Sequence, residues 1–234
     1  YEVLGLVLER VTGLAYPDLV QRDLLGPLDM AHSTAAPSAT PDAGLACGHQ
    51  DWFGFKQVLR EGFAPAIPSA GALRASPRDM GAYLAFHLSA TDGGVLTPEQ
   101  LEALHRPPPG TTYAMGWSAR TLGAQPVLLH NGSTPAFTAT MVLATEPGLG
   151  VVVMTNTNAF PLPFVELSTR RIAADAMRLL LGEQVAAPSP WATWGELATK
   201  VGLLAGLLAS LAVLVLRQLP RWRRVERAPA LVLR

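Results

Sequence analysis

The segment that most constrains this chain is a run of twenty residues, Leu197–Leu216, whose only charged side chain is Lys200. The run is apolar around its whole circumference, so it does not match an amphipathic helix on a soluble core. At 1.5 Å per residue, a helix of this length spans about 30 Å, the thickness of a bilayer core. Trp191 and Trp194 precede it, where an interfacial aromatic belt would lie. The run predicts a transmembrane helix over residues 197–216, with the membrane as a partner of the chain.

The charges beside this run predict its orientation. Lys200 is the only basic residue near its first end, whereas five arginines follow its second end: Arg217, Arg221, Arg223, Arg224 and Arg227. Because cytoplasmic flanks carry the excess of Lys and Arg, residues 217–234 are predicted to be a basic cytoplasmic tail. The chain is then single-pass in the cytoplasmic membrane, with residues 1–187 extracytoplasmic. Pro188-Ser189-Pro190 begins a predicted linker over residues 188–196.

The composition narrows the classes of partner. The formal net charge is zero, which gives no indication of nucleic-acid binding. Cys47 is the only cysteine, so an internal disulfide and a multi-cysteine metal site are excluded, and we expect Cys47 to be a small buried side chain. Phosphate-binding and dinucleotide-binding motifs are absent, and we expect no cofactor and no metal. Four histidines have no metal-ligand spacing and are expected at the surface or in a cleft: His32, His49, His87 and His105.

The first half of the chain has mainly helical patterns. In YEVLGLVLERVTG, Gly13 is placed to end a first helix, and a second follows in YPDLVQRDLLGPL. Ser76-Pro77 and Thr97-Pro98 have the residue types that begin helices. Residues 31–70 have no sustained period and are predicted to be long irregular connections. The apolar residues at helical spacing in the first helix are Leu4, Val7, Leu8 and Val11.

The pattern becomes strand-like after residue 112. Four apolar or alternating runs follow, YAMGWSAR, QPVLLH, AFTATMVLA and GVVVMTN, and Glu146-Pro147-Gly148 is predicted to join the last two as a hairpin. Helices, an antiparallel meander and a covering helix form an α+β pattern. The covering helix is predicted in PFVELSTRRIAADAMRLLLG, with an apolar face formed by Val165, Ile172, Ala176 and Leu179.

His130 lies in this strand-like region at a position that allows two interpretations. In VLLHNGSTPAFTATMVLA, an apolar run ends at His130, crosses Asn131-Gly132 and resumes as a second apolar run. One interpretation is a β-turn at Asn131-Gly132 with a polar residue beside it. The other is that His130 lines the edge of a site where a ligand backbone must approach closely, for which glycine leaves room.

Five segments, in order, carry a resemblance to a known family: YEVLGLVLERVTG, PLDMAHSTA, SAGALRASPRDMGAYL, YAMGW and HNGSTPAFTATMVLATEPGLGVVVMTN. From Tyr1 to about Leu181, the chain resembles the serine β-lactamase-like hydrolases, which include class C β-lactamases, D-stereospecific peptidases and related esterases. The resemblance implies an α+β fold with an antiparallel sheet covered by helices, incomplete at the N-terminus. Residues 1–187 would then be the C-terminal portion of the hydrolase domain.

Three motifs carry the chemistry of that family, and one of them matches. S-x-x-K supplies the nucleophile and a lysine that helps to deprotonate it, but none of the ten serines has lysine three residues later. Y-x-N, whose tyrosine takes part in proton transfer, begins at none of the four tyrosines. H-x-G, on the strand that edges the site, matches His130-Asn131-Gly132. We therefore expect an N-terminally truncated fragment that is inactive alone.

The resemblance implies a role for three residues of the matching motif. Gly132 would give room to a substrate backbone that lies along the strand, and Ser133 would supply one backbone N–H of the oxyanion hole. His130 replaces the family's lysine and would offer a ring N–H or a partial positive charge near the developing charge. Because histidine need not be charged at neutral pH, a carboxylate on the substrate is less strongly indicated.

Two functions from different classes remain open. The first is a membrane-anchored serine hydrolase that acts on an amide or ester of a small molecule or peptide, including β-lactams, by acyl-enzyme chemistry. The second is a non-catalytic substrate-binding or regulatory ectodomain of the same fold.

Overall fold

A computed structural model describes residues 1–36, 44–52, 55–59, 68–89, 94–159, 164–187 and 190–226. The chain divides into two compact units, Tyr1–Val185 and Ala186–Arg234. Its helices are α1 Glu2–Thr12, α2 Tyr16–Val20, α3 Pro68–Gly71, α4 Pro77–Leu88, α5 Pro98–His105, α6 Phe164–Leu180 and α7 Pro190–Glu226. Its strands are β1 His49–Trp52, β2 Phe55–Val58, β3 Ser118–Leu122, β4 Gln125–Ser133, β5 Thr138–Ala144, β6 Leu149–Thr155 and β7 Thr157–Asn158.

Helix α1 ends where the sequence predicts. Gly13 has a left-handed φ of 69°, and its N–H donates to the carbonyl of Glu9. The side chains of the predicted apolar stripe are exposed, however, and Gly5 is the buried residue of this helix. A Cβ at Gly5 would lie 2.5 Å from Ser69 Oγ, so α1 approaches α3 closely at this glycine. The chain then continues from α2 into a π-helical turn, Gln21–Leu25.

Two short strands lie in the segment predicted to be irregular. Strand β1 pairs antiparallel with β2 and parallel with β7, which gives a three-stranded sheet in the order β2-β1-β7. The prediction for residues 31–70 is therefore wrong at His49–Trp52 and Phe55–Val58. Because the parallel partner of β1 comes only after β6 in the chain, no local pattern indicated this pairing.

The predicted starts of α4 and α5 are confirmed by their caps. The Ser76 hydroxyl accepts a hydrogen bond from the N–H of Asp79 at the start of α4. Thr97 and Gln100 form a reciprocal capping box at the start of α5. Asp79 is itself buried, and its carboxylate accepts a hydrogen bond from the Ser33 hydroxyl at 2.7 Å. Helix α4 is thereby tied at its N-terminus to the segment that follows α2.

The four predicted strand runs form one antiparallel sheet in the order β3-β4-β5-β6. The predicted hairpin between β5 and β6 is confirmed, because Gly148 has φ 66° and its N–H donates to the Thr145 carbonyl. The first strand begins later than the pattern indicated, at Ser118 rather than Tyr113.

Strand β4 is longer than its apolar run. It continues from Gln125 to Ser133, so Asn131-Gly132 lies within a strand, and the β-turn interpretation of this dipeptide is wrong. The chain reverses after Ser133, where the N–H of Thr134 donates to the carbonyl of Phe137 at 2.9 Å.

Helices cover both faces of the four-stranded sheet. Val142 packs with Ala173 and Met177 of α6, whereas the next residue of β5, Leu143, packs with Leu84 of α4. Successive residues of a strand point to opposite faces, so α6 and α4 lie on opposite sides of β5. The sheet with helices on both faces confirms the predicted α+β class.

The buried face of α6 differs from the predicted one. Ile172 and Leu179 are 54% and 62% exposed, whereas Thr169, Ala173 and Met177 are fully buried. These three buried residues are four apart and share one side of the helix. The predicted face is therefore wrong for Ile172 and Leu179; the side chain of Val165 lies outside the described residues.

The second unit consists mainly of α7. Within it, Leu197–Arg217 is a stretch of 21 residues with mean hydropathy 2.1, long and apolar enough to cross a membrane. None of that stretch is buried within the chain. The helix begins at Pro190, inside the segment predicted to be a linker, and continues to Glu226 in the predicted tail. Residues 227–234 of the tail lie outside the described residues.

Candidate active site

An open strand edge lies at the last residues of β4. On one side, β4 pairs with β5 as far as Ser133↔Thr138. On the other side, the pairing with β3 stops at Ser118↔Leu129. In the described part of the chain, the stretch from His130 to Ser133 therefore has a neighbouring strand on one side only. An edge of this kind can pair with an extended ligand as an additional strand.

Gly132 is exposed on this edge, and its backbone conformation does not require a glycine. It lies in regular strand, with no left-handed φ, so its backbone conformation suits any residue. A Cβ built at Gly132 would meet no described atom within 4 Å. The missing side chain therefore matters only for a group that approaches the strand from outside.

His130 is half-buried, and the neighbouring loop fixes its ring. Its Nδ1 lies 2.5 Å from the carbonyl oxygen of Gly116, and its ring makes an edge contact with Trp117 at 6.1 Å between centroids. Because a carbonyl only accepts hydrogen bonds, Nδ1 carries the hydrogen. Neutral His130 therefore presents Nε2 as an acceptor. The expected ring N–H is already used by Gly116, so only the protonated ring has a second N–H to offer a substrate.

Ser133 is exposed at the end of β4, and its hydroxyl is held by a buried amide. Asn158 donates from Nδ2 to Ser133 Oγ at 2.9 Å and to the carbonyl of Thr134 at 2.5 Å. Its Oδ1 accepts a hydrogen bond from the N–H of Ala159 at 2.8 Å. Sequence reasoning missed Asn158, because a single asparagine after a strand has no diagnostic spacing. The structure adds it to the site as the residue that holds the reversal after β4.

Behind His130, two histidines that the sequence placed at the surface or in a cleft come together. His87 Nδ1 lies 2.9 Å from His105 Nε2, and His87 is only 4% exposed, so the expectation for His87 is wrong. Burial, with a smaller contribution from His105, lowers the pKa of His87 to about 3. Burial also lowers the pKa of His105. Both rings are therefore neutral at physiological pH.

Two further expectations concern metal ligands and Cys47. Among the described residues, no three His, Cys, Asp or Glu side chains are grouped so that they could hold a metal ion. Cys47 is exposed rather than buried, so the expectation of a small buried side chain is wrong.

The fold defines an α+β protein with an antiparallel sheet between helices and an open edge at H-N-G. The family model described as Beta-lactamase matches residues 1–176, and the chain belongs to this family. The predicted resemblance is thereby confirmed. Protein flp of Staphylococcus aureus (strain N315) is 23% identical over 167 residues, which are 70% of this chain and 33% of that protein.

Two solved structures show the same fold. The octameric penicillin-binding protein homologue from Pyrococcus abyssi aligns with a TM-score of 0.64 and 24% identity, covering 77% of this chain and 41% of that one. The D-amino acid amidase from Ochrobactrum anthropi SV3 aligns with a TM-score of 0.61 and 19% identity, covering 77% of this chain and 55% of that one. This chain thus spans a third of the curated relative and about half of these structures.

Proposed function

We propose that this chain is the part of a serine hydrolase that binds the substrate backbone, and that the whole protein cleaves an amide or ester through an acyl-enzyme. The observation that carries the proposal is the open edge of β4 at His130-Asn131-Gly132, in a chain that belongs to the Beta-lactamase family. The nucleophilic serine and its lysine would come from residues outside these 234.

Each residue of the edge has a distinct task in this proposal. Gly132 admits the substrate backbone alongside β4, since no described atom lies within 4 Å of the position a Cβ would take. The backbone N–H of Ser133 stabilises the oxyanion that forms when the serine oxygen attacks the carbonyl carbon. His130 presents Nε2 as an acceptor for a substrate N–H or a nearby hydroxyl, because Nδ1 is held by Gly116. Departure of the amine or alcohol leaves the acyl-enzyme, which water hydrolyses.

The family and a structural relative support a substrate class for this proposal. The family name and the D-amino acid amidase both indicate attack on an amide or lactam carbonyl. We expect a small-molecule or peptide substrate rather than a nucleic acid, since the chain has no net positive charge.

Covalent labelling tests the proposal. The gene product, with whatever sequence precedes Tyr1, is incubated with a fluorescent penicillin and a chromogenic ester, and the adduct is measured by mass spectrometry. We expect a serine adduct in that protein and none in the 234-residue chain, which has no S-x-x-K. A Gly132→Val variant of the full product is expected to lose labelling because the branched side chain fills the substrate's space. Equal labelling of Gly132→Val and the parent would contradict the role of the edge.

The alternative is a non-catalytic ectodomain of the same fold, and the absence of S-x-x-K and Y-x-N from the sequence favours it. If the full gene product also has neither motif, binds the penicillin reversibly and forms no adduct, the alternative is correct. Reversible binding that Gly132→Val weakens would then place the ligand on the same edge.

We propose further that the domain is extracytoplasmic and anchored in the cytoplasmic membrane by residues 197–216, with the C-terminus in the cytoplasm. The length and hydropathy of Leu197–Arg217 and the arginines that follow support this. Cys47 is exposed and provides the probe. A membrane-impermeant maleimide should label Cys47 in intact cells, and Cys47→Ser should abolish that signal. Labelling that requires cell lysis would reverse the proposed orientation.

A further inference from the structure

Behind the open edge lies a cluster of rings that the proposed reaction does not use. Helix α4 supplies His87, helix α5 supplies His105, and both rings lie against Trp117 at centroid distances of 5.1 and 6.0 Å. Trp117 is 3% exposed and also makes an edge contact with His130. We name His87, His105 and Trp117 the support cluster.

Hydrogen bonds also connect the support cluster to His130. The N–H of Met115 donates to the carbonyl of Leu104, the residue before His105, at 3.2 Å. The next residue, Gly116, accepts the hydrogen bond from His130 Nδ1. The loop before β3 is therefore held by the end of α5 and in turn holds His130. This loop and the Trp117 ring are therefore two physical connections between the α4–α5 contact and His130.

The His87–His105 pair cannot stay together when both rings are protonated, because the two facing nitrogens, His87 Nδ1 and His105 Nε2, lie 2.9 Å apart and would then both carry hydrogens. One ring donates a hydrogen bond to the other, and His87 Nε2 is buried with no partner among the described residues. A proton added to His87 would create a buried N–H without an acceptor and a buried charge, both of which are costly. His87 therefore takes up a proton mainly when the cluster opens.

The remaining neighbours of His87 do not offset that charge. The ring of Tyr83, on the same helix, lies 4.5 Å away, and burial raises the pKa of Tyr83 to about 12, so it stays neutral. Strand β6, which packs on α4, has no titratable side chain. On α5, Glu102 and Arg106 pair with each other at the surface. His105 is therefore the neighbouring group that takes up a proton together with His87 as the pH falls.

We propose that the support cluster is an acid-sensitive positioning device, in which protonation of the His87–His105 pair opens the cluster and releases His130 from its position on the edge. The regulatory effect rests on the proposed function, whereas the structural coupling does not. Folding linkage gives the size of the response: each histidine that must gain a proton on opening raises the opening constant up to about tenfold per pH unit below about 6.5.

Nuclear magnetic resonance of the ¹⁵N-histidine-labelled full gene product in detergent micelles tests the coupling. The observable is the Nδ1 proton of His130, which is retained when His130 itself is protonated, so its loss reports opening. We expect this signal to weaken as the pH falls from 6.5 to 4.5. His87→Phe keeps an aromatic ring but removes the titrating group, and should retain the signal over that range. His32→Phe is the matched control at an exposed histidine and should behave as the parent does.

Two results would overturn the proposal: a parent whose His130 signal is unchanged to pH 4.5, or a His87→Phe variant that loses it at the same pH as the parent. If His87→Phe does not fold, the same measurement on His105→Gln tests the proposal, because this substitution removes one titrating ring at a half-buried site. It should make the loss shallower with pH, and an unchanged pH dependence contradicts the proposal.

An activity measurement then separates the regulatory effect from the proposed function. In the full gene product, kcat/KM for a chromogenic ester should fall between pH 7.5 and 5 at least tenfold more in the parent than in His87→Phe. Equal falls would overturn the regulatory effect. Absence of turnover in every variant would count against the proposed function and leave the resonance result standing.

Discussion

Replacement of Asn158 by alanine should destabilise the fold far more than loss of an ordinary polar side chain. Asn158 is 2% exposed, and its amide makes hydrogen bonds to Ser133, Thr134 and Ala159. Each such bond contributes about 0.5–1.5 kcal/mol net, and buried groups left without a partner cost more. Three bonds therefore correspond to about 3 kcal/mol of unfolding free energy. For a unit of this size that is a fall in Tm of about 6–12 °C.

Thermal unfolding of the purified chain in detergent micelles, followed by circular dichroism, measures this loss. Asn156→Ala is the matched control, because Asn156 is exposed and its amide donates one hydrogen bond, to the Cys47 carbonyl at 2.8 Å. We expect that control to lose about 1 kcal/mol or less. In a double-mutant cycle, Asn158→Ala and Ser133→Ala should couple by about 0.5–1.5 kcal/mol.

The reasoning is refuted if Asn158→Ala melts within about 2 °C of Asn156→Ala, which would be less than 1 kcal/mol of difference. A double-mutant cycle with no coupling would show that the 2.9 Å contact between Asn158 and Ser133 contributes nothing to stability.

Three further predictions concern the edge and the support cluster. In the full gene product, His130→Ala should lower kcat/KM by about 10- to 1,000-fold. His130→Lys should not restore it, because an ammonium group donates hydrogen bonds but cannot accept one as Nε2 does; substantial activity in His130→Lys would show that His130 presents a donor or a positive charge instead. A large fall in Tm with unchanged kinetics would make His130 structural. Gly132→Val should abolish turnover with little change in Tm, because a Cβ there meets no atom of the described residues within 4 Å; a loss of several degrees would contradict this. The pKa of His87 is lowered to about 3, so the unfolded chain binds more protons than the folded chain between about pH 6.5 and 3, and stability should decrease as the pH is lowered through that window, by up to about 1.4 kcal/mol per unit. Urea titrations at several pH values measure that slope, which His87→Phe should reduce.

Local features of this protein were predictable from its sequence. The caps at Ser76 and Thr97, the helix end at Gly13 and the hairpin at Gly148 depend on residues a few positions apart, so their chemistry is visible in the sequence. The alternating runs likewise predicted the meander β3–β6. The apolar run 197–216 predicted a helix long enough to cross a membrane.

The tertiary structure decided what distant residues do together. The edge of β4 is open because the chain before β3 leaves the sheet at Ser118, and no pattern at His130 contains that information. His87 and His105 meet because two helices converge on Trp117, and Asn158 reaches Ser133 from a later strand. These contacts join residues separated by many positions, where spacing carries no signal. The H-N-G motif was therefore recognisable from the sequence, whereas the open edge, the tautomer of His130 and the rings behind it depend on long-range packing.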